Sequence, residues 1–306
     1  MNVKLSIGIP TYNQGMYLEK AIVSILNQSI KPYEVVVCNN HSNDGFTETV
    51  LNKYKDQINI IQPPVFLTMM ENWNYLCKNL TGTHISLLSS DDFYESNFVS
   101  TFMDIYKPDG VLYRFGFNLI DDSDTIIETK KINSVNKMEC FPRNFYEQIQ
   151  GPKLSFSAFV VSSVNLKEVG YFDENLKLIG DWGLWLKLSP LGKFYYSEES
   201  VSNYRIDYRN KIAKERFELN ISDFIYVYGT IQRNLIEKYK LKKTIFNNAI
   251  KLHLYKIEKI RKENTLINPS NLMHLKKLTK GRLIRNDFEF IIRNFYQNFR
   301  EYFFKI

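Results

Sequence analysis

The sequence predicts an α/β domain with a mostly parallel central sheet, followed by a helical C-terminal region. Three observations carry this. A short alternating strand, an amphipathic helix and a continuous apolar run follow one another within the first forty residues. Strand-like and helix-like segments then keep alternating to about residue 115. Beyond about residue 211 the pattern turns helical to the end of the sequence.

The elements follow in order. Leu5, Ile7 and Ile9 alternate with small or polar residues, which predicts a strand that Pro10 ends. Asn13 is the expected N-cap of the next helix, where Leu18, Ala21, Ile22, Ile25 and Leu26 fall on one face. Val35 to Cys38 is unbroken by polar residues, as in a strand covered on both faces. Together these form a βαβ unit with a right-handed crossover. A helix over Thr47 to Tyr54, a strand over Ile58 to Ile61 and a helix over Met69 to Leu80 come next. Gly82 is its expected C-cap. Strands are expected over His84 to Leu88 and Val111 to Phe115, and a helix over Trp182 to Leu188. The expected domains are residues 1–210 and residues 211–306.

Composition narrows the function. The net charge is +7, but residues 241–306 hold 15 Lys+Arg against 5 Asp+Glu, a local 15 − 5 = +10. The remainder therefore carries 7 − 10 = −3. The basic character belongs to the tail and invites an anionic partner. Phe288, Ile291, Ile292, Phe295, Phe299 and Phe303 recur there at helical spacing, after Arg282 and Arg285. Such a helix lies in a membrane interface or packs its stripe on the rest of the chain; the pattern leaves both open. No nucleic-acid module signature is present. The three cysteines, 38, 77 and 140, form no C-x-x-C, and Cys38 and Cys77 read as core thiols. No signal peptide or spanning run is read, so the expected location is cytoplasmic, at most at the inner face of the membrane.

In such sheets ligands bind beyond the carboxyl ends of the strands. Three polar clusters follow strands: Pro10-Thr11-Tyr12-Asn13, Asn39 to Gly45, and Ser89-Ser90-Asp91-Asp92. Adjacent carboxylates there are costly unless neutralised, and oxygen ligands suit Mg²⁺ or Mn²⁺. The alternative for the pair is a helix N-terminus, which also favours Asp. Neither G-x-G-x-x-G nor a P-loop occurs, so no Gly-rich cradle holds phosphate.

The segments Ser6 to Asn13, Ser24 to Gln28, Glu34 to Gly45, Gly82 to Tyr94, Val169 to Glu174 and Gly180 to Leu186 together resemble the family 2 glycosyltransferases of GT-A fold, over residues 4–205. The resemblance implies an inverting, metal-dependent transfer of a sugar from a nucleoside-diphosphate sugar, with UDP favoured, to a saccharide or lipid-linked saccharide acceptor in surface glycan synthesis. It places Pro10, Thr11, Tyr12, Asn39, Ser90 and Asp91 at the nucleotide. Asp92 and Asp91 would hold Mn²⁺ or Mg²⁺, Asp181 would be the catalytic base, and Gly180 and Trp182 would lie on the acceptor side. Two departures stand out. Asn39 replaces the family's usual Asp, and Ser89 stands where many relatives carry an acid. A binding protein without turnover and a nucleotidyltransferase are the rivals; residues 10–16 lack the Lys and Arg a triphosphate would need. His41, His84, His253 and His274 share no spacing and read as structural or surface. Asn72 and Asn74 read as solvent-exposed.

Overall fold

A computed structural model describes residues 3–132, 137–149, 151, 155–206 and 222–250. The chain divides into two compact units, Met1–Lys242 and Lys243–Ile306. The apolar stripe from Phe288 and the arginines before it lie outside the described residues, as do His253 and His274. Among the described residues no helix is long and apolar enough to cross a membrane.

The first unit is built on one large sheet. Its N-terminal part alternates β1 (Leu5–Thr11), α1 (Gly15–Leu26), β2 (Glu34–Asn39), α2 (Phe46–Tyr54), β3 (Asn59–Ile61), α3 (Met69–Lys78) and β4 (His84–Leu87). Then come β5 (Phe93–Tyr94), α4 (Phe98–Ile105), β6 (Gly110–Ile120), β7 (Ile126–Lys130), β8 (Met138–Glu139) and α5 (Arg143–Gln148). The unit continues with β9 (Phe159–Ser162), α6 (Ser163–Glu168), α7 (Gly180–Leu188) and β10 (Lys193–Arg205). A helix over residues 222–226 leads into a wider turn at Val227–Gln232 and the helix Arg233–Lys238.

Strand order is β3-β2-β1-β4-β9-β6-β10-β5, with β7 on β6 and β8 on β10. The first four strands are parallel, as the βαβ pattern requires. The second half is mixed: β9 runs antiparallel between β4 and β6, while β6 and β10 are parallel. The apolar face of α1 (Leu18, Ala21, Ile22, Ile25) is fully buried, each Leu or Ile contributing ~1.5–3 kcal/mol.

Local expectations are corrected in three places. Asn13 does not cap α1. It adopts φ 54°, and its side chain crosses to Asn43. The first amide of α1, on Gly15, is instead satisfied by Asp44 Oδ2 at 3.0 Å. Gly82 does not end α3, whose C-cap is Asn79. Glycine is needed at 82 because a Cβ would meet Ser6 Oγ at 2.4 Å. Asn72 and Asn74 are buried, because each has an interior partner. Cys38 Sγ donates to Asn72 Oδ1 (3.1 Å), and Asn74 bonds both the N–H and the carbonyl of Phe172. Asn74 thereby acts as a substitute strand for the 172 backbone.

Cys38 and Cys77 are buried, and burial pushes the Cys38 thiol up to about 12. His84 is a core histidine among Phe102, Tyr106 and Tyr113, held near 4 by burial.

Candidate active site at the carboxyl edge of the sheet

Parallel pairing places Thr11 opposite Asn39, so the loops after β1 and β2 leave the same edge side by side. They are stapled together. Asn13 N donates to Ser42 Oγ (3.0 Å), Asn13 Nδ2 to Asn43 Oδ1 (2.9 Å), and Asn43 N back to Asn13 Oδ1 (2.8 Å). Asp44 holds Gly15 N with one oxygen and Thr47 N with the other, joining the starts of α1 and α2. Its carboxyl sits below the usual range: burial opposes ionisation, but bonds from Thr47 and Gly15 outweigh it.

Pro10 and Thr11 are buried at the end of β1, and Thr11 Oγ1 has no hydrogen-bond partner. Tyr12 is 45% exposed and meets the edge of Phe66, ring centres 4.9 Å apart. Phe66 belongs to the 62–68 segment, which two residues after β2 anchor. Asn40 pairs with Leu67 through both main-chain groups (2.8 and 3.0 Å), and His41 Nε2 donates to the Pro63 carbonyl (2.9 Å). Phe66 and this anchoring are not visible in the sequence pattern; the only trace is an Asn-His pair straight after a buried strand.

Asn39 Oδ1 accepts from Ser42 N at 3.0 Å. A backbone N–H faces only an acceptor, so this bond fixes the amide's orientation and leaves Nδ2 as the remaining polar atom.

The Ser89–Asp92 loop after β4 separates its two carboxylates. Asp92 is 1% exposed. Its Oδ2 accepts from Ser157 Oγ (2.5 Å) and its Oδ1 from Arg205 N (2.8 Å). Burial first, and the Asp91 carboxylate second, push its carboxyl well above the usual range. Ser90 is also buried. Asp91 is partly exposed; Ser89 Oγ donates to its Oδ1 (2.5 Å). Arg205 clamps this loop through the Asp91 carbonyl (Nε, 3.0 Å), the Asp121 carbonyl and Asp124, and lies over the Tyr17 ring. Asp92 thus braces the interior with one bond to each oxygen, and Asp91 is the more exposed carboxylate of the pair. Among the described residues no three His, Cys, Asp or Glu side chains form a cation cage. One carboxylate fits a Mn²⁺ or Mg²⁺ that takes its other ligands from phosphate and water.

Asp181 is the second residue of α7; its Oδ1 accepts from the neighbouring Trp182 N at 2.8 Å. Burial raises its carboxyl to about 6, against which the Trp182 amide pulls down. Gly180 lies against Met70 of α3, where a Cβ would be 2.1 Å from Met70 Sδ. That contact brings Asp181 to the N-terminal end of α3, directly after the 62–68 segment anchored at β2. Trp182 is fully buried, its Nε1 bonded to the Gln148 carbonyl (2.7 Å) and its ring edge-on to Phe224 and Tyr228. Trp182 is thus part of the wall behind Asp181.

Residues 6–169 match the profile of glycosyl transferase family 2. An uncharacterized glycosyltransferase of Rickettsia typhi is 31% identical over 66% of this chain and 64% of its own length, so the chain spans less than two-thirds of that relative. Among solved structures, Staphylococcus aureus TarS residues 1–349 in complex with UDP-GlcNAc superposes with TM-score 0.58 at 15% identity, covering 96% of this chain and 92% of that one. A mannosyltransferase from Pyrobaculum calidifontis in complex with GDP-Man and Mn²⁺ superposes with TM-score 0.57 at 12% identity, covering 92% and 88%. These likenesses establish the GT-A fold.

Proposed function

Because the chain belongs to glycosyl transferase family 2, we propose that it transfers a hexose-type sugar from a nucleoside-diphosphate sugar, UDP-linked by preference, to a saccharide or lipid-linked saccharide in surface glycan synthesis. The observation that carries this reading is Asp181, a carboxylate at the start of α7 whose neighbour Gly180 lies against Met70 at the start of α3; burial raises it to about 6. Near neutral pH it is ionised yet more basic than a surface aspartate, which suits a general base.

In this reading Asp181 takes the proton from the acceptor hydroxyl as that oxygen bonds to the anomeric carbon. The bond from that carbon to the diphosphate oxygen breaks, and configuration inverts. Tyr12 and Phe66 receive the base, and Asn39, Thr11 and Ser90 line the nucleoside end. Asp91, with Asp92 behind it, would hold Mn²⁺ or Mg²⁺, whose charge would offset that of the departing diphosphate. The complex with GDP-Man and Mn²⁺ formed by a protein of the same fold supports a metal. Residues 1–210 carry the groups that meet the substrates, and within 211–306 the basic tail meets the membrane that carries the acceptor, on the cytoplasmic side.

A second reading, binding without turnover, is favoured only by Asn39 and Ser89. One experiment separates them: binding and hydrolysis of a panel of UDP-, GDP- and dTDP-sugars, with and without Mn²⁺, by the wild type, Asp91→Asn and Asp181→Asn. The transferase reading expects metal-dependent binding lost in Asp91→Asn, and turnover lost but binding kept in Asp181→Asn. Binding of a donor without any turnover by the wild type would establish the second reading.

A further inference from the structure

We propose that Asp223 is the positioning residue for Asp181, an inference that rests on the transferase reading. Residues 173–179 reach α7 as an irregular segment, and irregular backbone must find partners for its amides. Asp223 supplies them. Its carboxylate accepts from three successive main-chain N–H groups, those of Lys177 (2.9 and 3.1 Å), Leu178 (2.7 Å) and Ile179 (3.1 Å). The side chain is 1% exposed. Bonds of this kind, from N–H to an ionised acceptor, are about twice as strong as neutral ones.

The geometry transmits this hold to Asp181 within two residues. Ile179, whose N–H is fixed by Asp223, gives its carbonyl to Gly183 N at 3.3 Å, the first turn of α7. Ile179 is therefore held at both its N–H and its carbonyl, directly before Gly180. Phe224, next to Asp223, packs edge-on to Trp182, with ring centres 5.6 Å apart. Further along the same turn, Tyr226 Oη donates to Asp173 Oδ2 (3.1 Å). The 222–226 helix thus grips the chain on both sides of Asp181, at the backbone before it and at the indole after it. The end of the Met70 side chain lies against Gly180 and packs on the third side. The Asp223 carboxylate is spent on residues 177–179, away from Asp91 and the loops after β1 and β2. Its role concerns proton transfer and not donor capture.

The test uses the full chain, the same nucleotide-sugar panel with Mn²⁺, and Asp223→Asn and Asp223→Glu beside Asp181→Asn. An asparagine keeps one accepting oxygen but not the charge; a glutamate keeps the charge but displaces it. Both are expected to lower kcat roughly 10- to 100-fold, in line with a misplaced catalytic group, while donor Kd stays within about twofold. Amide hydrogen exchange at 177–179 should accelerate in Asp223→Asn. Parallel loss of kcat and donor affinity, or kcat within twofold of wild type in both variants, overturns the proposal. An active Asp181→Asn overturns the base reading itself, whereas an inactive Asp181→Asn beside a fully active Asp223→Asn overturns only the positioning role. If one Asp223 variant fails to fold, the other gives the same decision.

Discussion

Replacing Asp181 by Asn should make the protein inactive and more stable at once. Burial raises the carboxyl from its ordinary value of 3.8 to about 6. At about 1.36 kcal/mol per unit this is ~3 kcal/mol that ionised Asp181 costs the fold. The side chain is only partly buried, and solvent screening trims the figure to about 1–3 kcal/mol. A raised folded-state pKa means that the native protein binds the proton more tightly than the unfolded chain. Stability is therefore highest below the unfolded value near 4 and falls as pH rises through about 6. Asparagine keeps the bond from Trp182 N and never ionises. Its advantage over wild type should be near zero at pH 4 and level off above pH 7, each kcal/mol worth roughly 2–4 °C in Tm for a unit of this size. Thermal melts of both proteins from pH 4 to 8, alongside wild-type donor turnover, read this out. Turnover should fall about tenfold for each pH unit below 6. Two parallel Tm profiles, or turnover that stays flat down to pH 5, would refute the argument.

Two further outcomes follow from single contacts. Asn39→Asp exchanges the outward N–H₂ for a carboxylate oxygen while keeping the acceptor for Ser42 N; a uridine nucleotide, with a ring N–H to donate, should bind tighter by about 1.5–3 kcal/mol, measured by calorimetry. Ser157→Ala removes one of the two bonds to buried Asp92 and should lower unfolding stability by about 1–3 kcal/mol in denaturant titration, with the mixed half of the sheet retained.

The N-terminal βαβ repeats were legible because each strand and helix there is decided by local periodicity; only the junction differs, with β1 running past Pro10 to Thr11 and Asn13 not capping α1. The antiparallel insertion of β9 was not, because its four residues carry an apolar run with no sign of direction. The split between Asp91 and Asp92 was equally hidden. It depends on Ser157 and Arg205, 65 and 113 residues away, which no spacing rule connects to the acidic pair. Asn72 and Asn74 failed for a related reason: amides on a helix read as wet unless their distant backbone and thiol partners are known. Asp223 lay in a stretch whose helical pattern suggested a separate region, so its hold on residues 177–179 appears only in three dimensions.

The staple between the loops after β1 and β2 has a practical consequence for anyone recombining this domain with a homologue. Asn13, Asn43 and Asp44 make the two loops one exchangeable cassette: a chimera that imports residues 10–15 without residues 39–47 leaves a severed amide pair and an uncapped α1. Donor preference in such chimeras should move only when both pieces travel together, and a library built loop by loop would sample mostly broken hybrids.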